Sequence, residues 1–128
     1  MDSRALLSAL KRRREKTVDL GDGKTVTFLR PSESEMGGML DVKGDQAEWN
    51  VNIEHVRKCV VGWGGFTAAD LLGASIGSSD PVEFHVDLWH EVCADNVEYV
   101  TKVARAILTS VVDHISAKDA TAKNSPPA

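Results

Sequence analysis

Apolar residues recur along this chain with two periods, and the change of period divides it into elements. Leu6, Leu7 and Leu10 form a narrow stripe at helical spacing within residues 3–16, closed by Lys11-Arg12-Arg13-Arg14-Glu15-Lys16. Basic residues in a last turn complement the helix dipole. From Thr17 to Leu29 the period becomes two: Val18 and Leu20 alternate with polar residues, as do Val26 and Phe28 after Gly21-Asp22-Gly23. A two-residue Asp22-Gly23 turn would set Leu20 opposite Thr25 and scatter the apolar side chains over both faces. A loop of odd length, three or five residues, sets Val18 across from Val26 and gathers Val18, Leu20, Val26 and Phe28 on one face. A hairpin with an odd-numbered loop is therefore expected. A lone hairpin is marginal in water, so its apolar face must pack on a helix or on the strands of another copy.

Pro31 ends the strand, and Ser32-Glu33-Ser34-Glu35 has the spacing of a capping box. The helix it opens carries Met36, Met39 and Leu40 and is weakened by Gly37-Gly38, each costing about 1 kcal/mol relative to alanine. Residues 41–48 are polar and read as a loop. Ile53, Val56, Cys59 and Val60 then return to helical spacing before the break Gly62-Trp63-Gly64-Gly65-Phe66. Gly62 is placed to close that helix in the left-handed conformation, and Thr67 with Asp70 opens a short helix over Leu71 and Leu72. The stretch reads as a helix–turn–helix corner with Trp63 and Phe66 plugging the core.

After a small-residue loop over 74–79, a helix begins either at Asp80-Pro81 or near Asp87 and shows Leu88, Trp89, Val92 and Cys93 on one face. Asp95 and Glu98 are spaced as another capping box. The last helix, residues 96–118, has the strongest pattern. Val97, Val100, Ala104, Ile107, Val111 and Ile115 form its core seam, with Lys102, Arg105, Thr109 and Asp113 away from it. The expected fold is α+β and predominantly α-helical. Residues 1–118 form one domain, an N-terminal β-hairpin followed by a helical core with a long C-terminal helix. Residues 119–128, ending Asn124-Ser125-Pro126-Pro127-Ala128, read as a disordered tail.

Composition narrows the function classes. The 128 residues suit one domain, and 42% hydrophobic with 27% charged residues excludes wholesale disorder. A net charge of −4 argues against a dedicated nucleic-acid binder. No aromatic residue is interleaved in Lys11–Lys16 to stack on bases. No apolar run approaches the roughly 20 residues that span a bilayer. Ala5-Leu6-Leu7 precede the positive charges, the reverse of a secretory signal, so no membrane partner and a cytoplasmic location are expected. Cys59 and Cys93 each lie in an apolar helical pattern and read as small buried hydrophobes rather than a disulfide.

The chemistry-bearing residues do not assemble into a recognisable reaction centre. His85 and His90 are five apart, off one helical face, and His90-Glu91 lacks the second histidine of a zinc-protease motif. No nucleophile sits in an activating elbow, and the glycines match neither a dinucleotide fingerprint nor a nucleoside triphosphate loop. Asp70, Asp80, Asp87, Asp95 and Glu98 read as helix caps and first-turn acids. No catalytic residue, metal or cofactor is expected.

The order of motifs says more than any one of them. A basic N-terminal helix and a hairpin ending at Pro31 precede Val60-Val61-Gly62-Trp63-Gly64-Gly65-Phe66-Thr67, then Asp70-Leu71-Leu72, Asp80-Pro81-Val82, paired C-terminal helices and a polar tail. Over about residues 6–116 this resembles the tail assembly chaperones of long-tailed, siphovirus-type bacteriophages. Gly62-Trp63 followed by Asp70-Leu71-Leu72 carries most of the likeness. Gly64 stands where an acidic residue is expected after Trp63.

The resemblance implies a non-enzymatic protein of the host cell cytoplasm that self-associates, coats the tape-measure protein, recruits tail-tube protein and is absent from the finished virion. In that reading Met36, Met39, Trp63, Phe66, Leu71 and Leu72 are the candidate partner-binding residues, because reversible association needs apolar side chains in loosened segments. Arg12, Arg13 and Arg14 are candidates for contacts to phosphate or an acidic partner. Such proteins are often made in a short and a frameshifted long form. Ala122-Lys123-Asn124 is compatible with a slippery A AAA AAC coding, which makes a frameshift-extended form of the chain a further candidate partner. Two readings compete. One is a small nucleic-acid-associated protein using Lys11–Lys16, distinguished by salt-dependent DNA binding. The other is a structural subunit of the tail, distinguished by its retention in virions.

Overall fold

A computed structural model describes residues 2–123 and gives an α+β, mostly helical fold. Helix α1 (Ser3–Arg13) starts at Asp2, whose carboxylate accepts from the Ala5 N–H at 2.8 Å, and ends in Lys11, Arg12 and Arg13. It buries no residue. The basic run outlasts the helix, because strand β1 (Glu15–Gly21) already includes Lys16. β1 pairs antiparallel with β2 (Lys24–Leu29), and Val18 faces Val26 as expected. Leu20, Val26 and Phe28 are buried and Val18 packs against them, so the predicted face is the inner one.

The connection reaches that register by a different route. Asp22 and Gly23, at φ 53° and 76°, form a two-residue turn between the paired Gly21 and Lys24, and a bulge between Asp19 and Gly21 absorbs the odd residue.

The main departure lies at residues 60–64. Helix α3 (Ile53–Cys59) stops one residue early, and Val60–Gly64 forms strand β5, antiparallel to the free edge of β2, in the order β1-β2-β5. Gly62 therefore closes no helix; it pairs with Thr27. Two forces override the helical spacing. Val60-Val61 is β-branched and favours extended backbone, and β2 otherwise presents unpaired N–H and C=O groups along one edge.

Ser32 and Glu35 make the expected capping box at α2 (Glu33–Met36), which tightens into a 3₁₀ turn over Gly37–Met39. Leu40 and the polar residues after it are a second small hairpin rather than helix end and loop: β3 (Leu40–Lys43) and β4 (Gln46–Trp49) pair around Gly44. Thr67 and Asp70 box α4 (Ala68–Leu72) as predicted. Helix α5 (Val86–Asp95) uses the later of its two possible starts. His85 Nδ1 accepts from the Asp87 N–H at 3.1 Å, while Pro81 bridges to Thr67.

Asp95 is the last residue of α5 and so does not cap the next helix. The Asn96 carbonyl instead accepts from the N–H groups of Tyr99 and Val100, and its side-chain amide donates to the Val92 carbonyl. Helix α6 (Val97–Lys123) runs past the expected end near Lys118, taking in residues 119–123 of the expected tail; residues 124–128 lie outside the described residues.

The inner face of the β1-β2-β5 sheet is covered by α3 and α6, and α5 packs against both helices. Trp89, Phe28, Phe66, Ile107, Val26, Val56, Val103 and Val111 are the fully buried side chains of this core, and Trp89 Nε1 donates to the Val56 carbonyl at 3.2 Å. The α6 wall is rotated from the predicted seam. Val103 is buried, whereas Val97 is 79% exposed, because the first turn of α6 precedes its contact with the sheet. Cys59 and Cys93 are free, and burial pushes both thiols up to about 11, which keeps them protonated and unreactive at neutral pH. Among the described residues no helix is long and apolar enough to cross a membrane.

One backbone approach holds the sheet corner shut. Gly65 has φ +79°, and a Cβ there would lie 2.0 Å from the Gly23 carbonyl oxygen. Gly65→Ala should cost at least about 2 kcal/mol. Gly37→Ala, at helical φ −56° with open space around it, should stay within about 0.5 kcal/mol of the parent or exceed it. Urea midpoints of the two variants decide the point.

Candidate functional site

The residues singled out for partner binding separate by burial. Trp63 lies on β5, where Nε1 donates to the Val82 carbonyl at 2.8 Å. Its ring stacks on Phe66 at 4.3 Å and 19° and meets Phe84 edge-on at 5.4 Å; Phe66 in turn meets Tyr99 edge-on at 6.3 Å. The expected loose turn is thus a locked aromatic cluster. Phe66, Met36 and Met39 are core residues, and Trp63 and Leu71 are half-buried against them. The tight 3₁₀ turn tucks both methionines inward, so the Gly37-Gly38 pair aids burial and does not hold them out for a partner. Of the six, Leu72 alone is exposed.

The arginine run leads somewhere more specific. The end of α1, the β1-β2 hairpin and α6 enclose a groove of about 940 Å³. Arg13, Arg14 and Lys16 form one rim, Lys102 and Arg105 the other, and Arg30 joins them from the end of β2; Leu10 and Phe28 supply apolar lining. Arg12 is outside the lining. Local structure explains the convergence. The tight passage from α1 into β1, with the Arg30 N–H donating to the Arg14 carbonyl at 2.7 Å, brings the basic run beside the strand ends. Lys102, Arg105, Thr109 and Asp113 recur every three or four residues, so they share the side of α6 that faces this gap.

Cations exceed anions in the groove. Arg14 Nη1 donates to the Arg30 carbonyl at 3.1 Å and sits 3.6 Å from Glu35; Arg30 Nη1 donates to the Pro31 carbonyl at 2.7 Å; Lys102 Nζ donates to the Leu20 carbonyl at 3.1 Å. Arg13, Lys16 and Arg105 form no ion pair among the described residues. Burial, and secondarily the neighbouring Arg14, hold the Arg30 guanidinium below its ordinary pKa. Glu33 and Asp113 are the lining carboxylates, and Glu33 is already engaged by Lys118 at 2.6 and 2.8 Å and by His114 at 2.9 Å. Such a groove attracts and orients an acidic surface. Among the described residues no three His, Cys, Asp or Glu side chains cluster at metal-binding range.

Sequence reasoning reached Arg13, Arg14 and, within the Lys11–Lys16 segment, Lys16, and missed Arg30, Lys102 and Arg105. The stripe on α6 was visible as polar spacing, but that α1 lies opposite it was not.

The Glu33 clasp gives a pH signature. Hydrogen bonds from Lys118 and His114 pull the Glu33 carboxyl from 4.5 down to about 2. A depressed folded-state pKa contributes stability above the unfolded value that is lost as pH falls. The α2–α6 clasp should therefore weaken from about pH 4.5 toward about 2. Glu33→Gln should reduce the slope of thermal midpoint against pH in that window; an unchanged acid slope would count against the clasp. No family model, curated protein or solved structure matches this chain.

Proposed function

We propose that this protein is a tail assembly chaperone of a long-tailed bacteriophage: a non-enzymatic, self-associating protein of the host cytoplasm that binds tape-measure and tail-tube proteins and leaves before the particle is finished. The motif order from the basic N-terminal helix to Asp80-Pro81-Val82 supports the reading. The observation that carries it is α1. This helix buries no residue in its own domain, and Leu6, Leu7 and Leu10 are 49%, 61% and 46% exposed. An apolar stripe held out on a helix, with Leu10 continuing into the basic groove, suits reversible protein–protein contact. The clients then approach through the α1 leucines, and not through the aromatic cluster.

Co-expression with the tape-measure protein of the same viral genome tests this. The tape-measure protein should co-purify with the parent chain, and Leu6→Asp with Leu10→Asp should lower the retained amount about tenfold or more while the circular dichroism melt stays in place. Mass spectrometry of purified virions should lack the chain. Failure to retain either tape-measure or tail-tube protein, or recovery of the chain in virions at structural stoichiometry, would overturn the proposal.

A further inference from the structure

Charge is segregated along this chain. Residues 1–30 hold eight Lys or Arg against four Asp or Glu, whereas residues 59–101 hold seven Asp or Glu and no Lys or Arg. Folding turns this asymmetry into two surfaces. The first is the basic groove, with Arg13, Lys16 and Arg105 unpaired among the described residues. The second is on α5. Asp87, Glu91 and Asp95 are four residues apart and all exposed, so they form one ridge with about 6 Å of rise between neighbours. Val86 and Val97, both exposed, flank the ridge.

Asp95 sits at the wrong end of its helix. A helix C-terminus carries partial negative charge and favours cations, yet the last turn of α5 has no basic residue. No ion pair engages Glu91, Asp95 or Glu98 among the described residues. α5 contributes no residue to the groove, so the ridge does not satisfy the groove of its own chain.

We infer that the Asp87-Glu91-Asp95 ridge of one copy docks into the Arg13-Lys16-Arg105 groove of a second copy. Charge complementarity selects the occupant: Arg13, Lys16 and Arg105 on one surface and Glu91 and Asp95 on the other form no ion pair among the described residues, Asp87 has only His85 at 3.7 Å, and each surface is what the other needs. The exposed valines beside the ridge and the α1 leucines beside the groove give the contact an apolar flank. Two different patches meet, so the contact is heterologous, and a pair keeps one free groove and one free ridge. This rests on the reading of the chain as self-associating and names the surfaces that do it.

Analytical ultracentrifugation of the full chain tests the pairing. Raising salt from about 0.1 M to about 1 M cuts the screening length from about 10 Å to about 3 Å and should dissociate the protein. R13E/R105E and E91K/D95K, all at exposed positions, should each weaken self-association about a hundredfold with unchanged melting curves. Mixing the two variants should restore association, because each retains the patch the other has lost. Association indifferent to both reversals, or no recovery on mixing, overturns the pairing while leaving self-association standing. A groove reversal that abolishes tape-measure co-purification but not self-association overturns it in favour of a client in the groove. A parent chain monomeric at every concentration overturns both this pairing and the self-association in the functional reading.

Discussion

Strand β2 is hydrogen-bonded along both edges, and the rest of the molecule depends on that. On one side β1 returns through the Asp22-Gly23 turn; on the other β5 arrives from the end of α3. A two-stranded hairpin is marginal, and a third strand makes a face broad enough for α6 to cover. With β5 in place, Val26 and Phe28 have no exposed side, and Val60 completes the sheet beneath Val56 and Trp89. Without it, Trp63 would have no strand to stand on and the aromatic cluster would have no frame.

The turn ends of that sheet are tied down by charge as well as packing. Lys24, buried at the mouth of the hairpin, places its ammonium 3.2 Å from Asp70. The same carboxylate accepts from the Thr67 N–H at 2.8 Å and so caps α4. One side chain thus joins the hairpin to the helix that follows β5, while Gly65 lets the backbones meet. At the opposite end, Glu33 holds α2 against α6 through His114 and Lys118. The open ground between α1 and α6 is where cations collect unpaired.

Apolar side chains at Met36, Met39 and Phe66 are committed to the core, whereas Leu72, the α1 leucines, Arg13, Lys16 and Arg105 of the groove and the acids of α5 are exposed. Loosened glycine segments looked like places for reversible contact. In the folded chain their glycines permit close approach and a tight turn, which bury the neighbouring side chains.

The sequence by itself determined the elements whose stabilisation is local: the Ser32-Glu35 and Thr67-Asp70 boxes, the Val18–Val26 register, the mostly helical α+β class and α6 as the main wall. Caps and two-residue alternation act over a few positions, so spacing alone reveals them. Tertiary structure decided the rest. β5 was hidden because Val56, Cys59 and Val60 satisfy a helical period, and only the open edge of β2, more than thirty residues away in sequence, makes extension the better choice there. The burial of Val103 and exposure of Val97 follow from where α6 first meets the sheet. The groove has the same cause: Arg13 and Arg105 each look like a solvated helix charge, and only the fold brings them to facing walls of one gap.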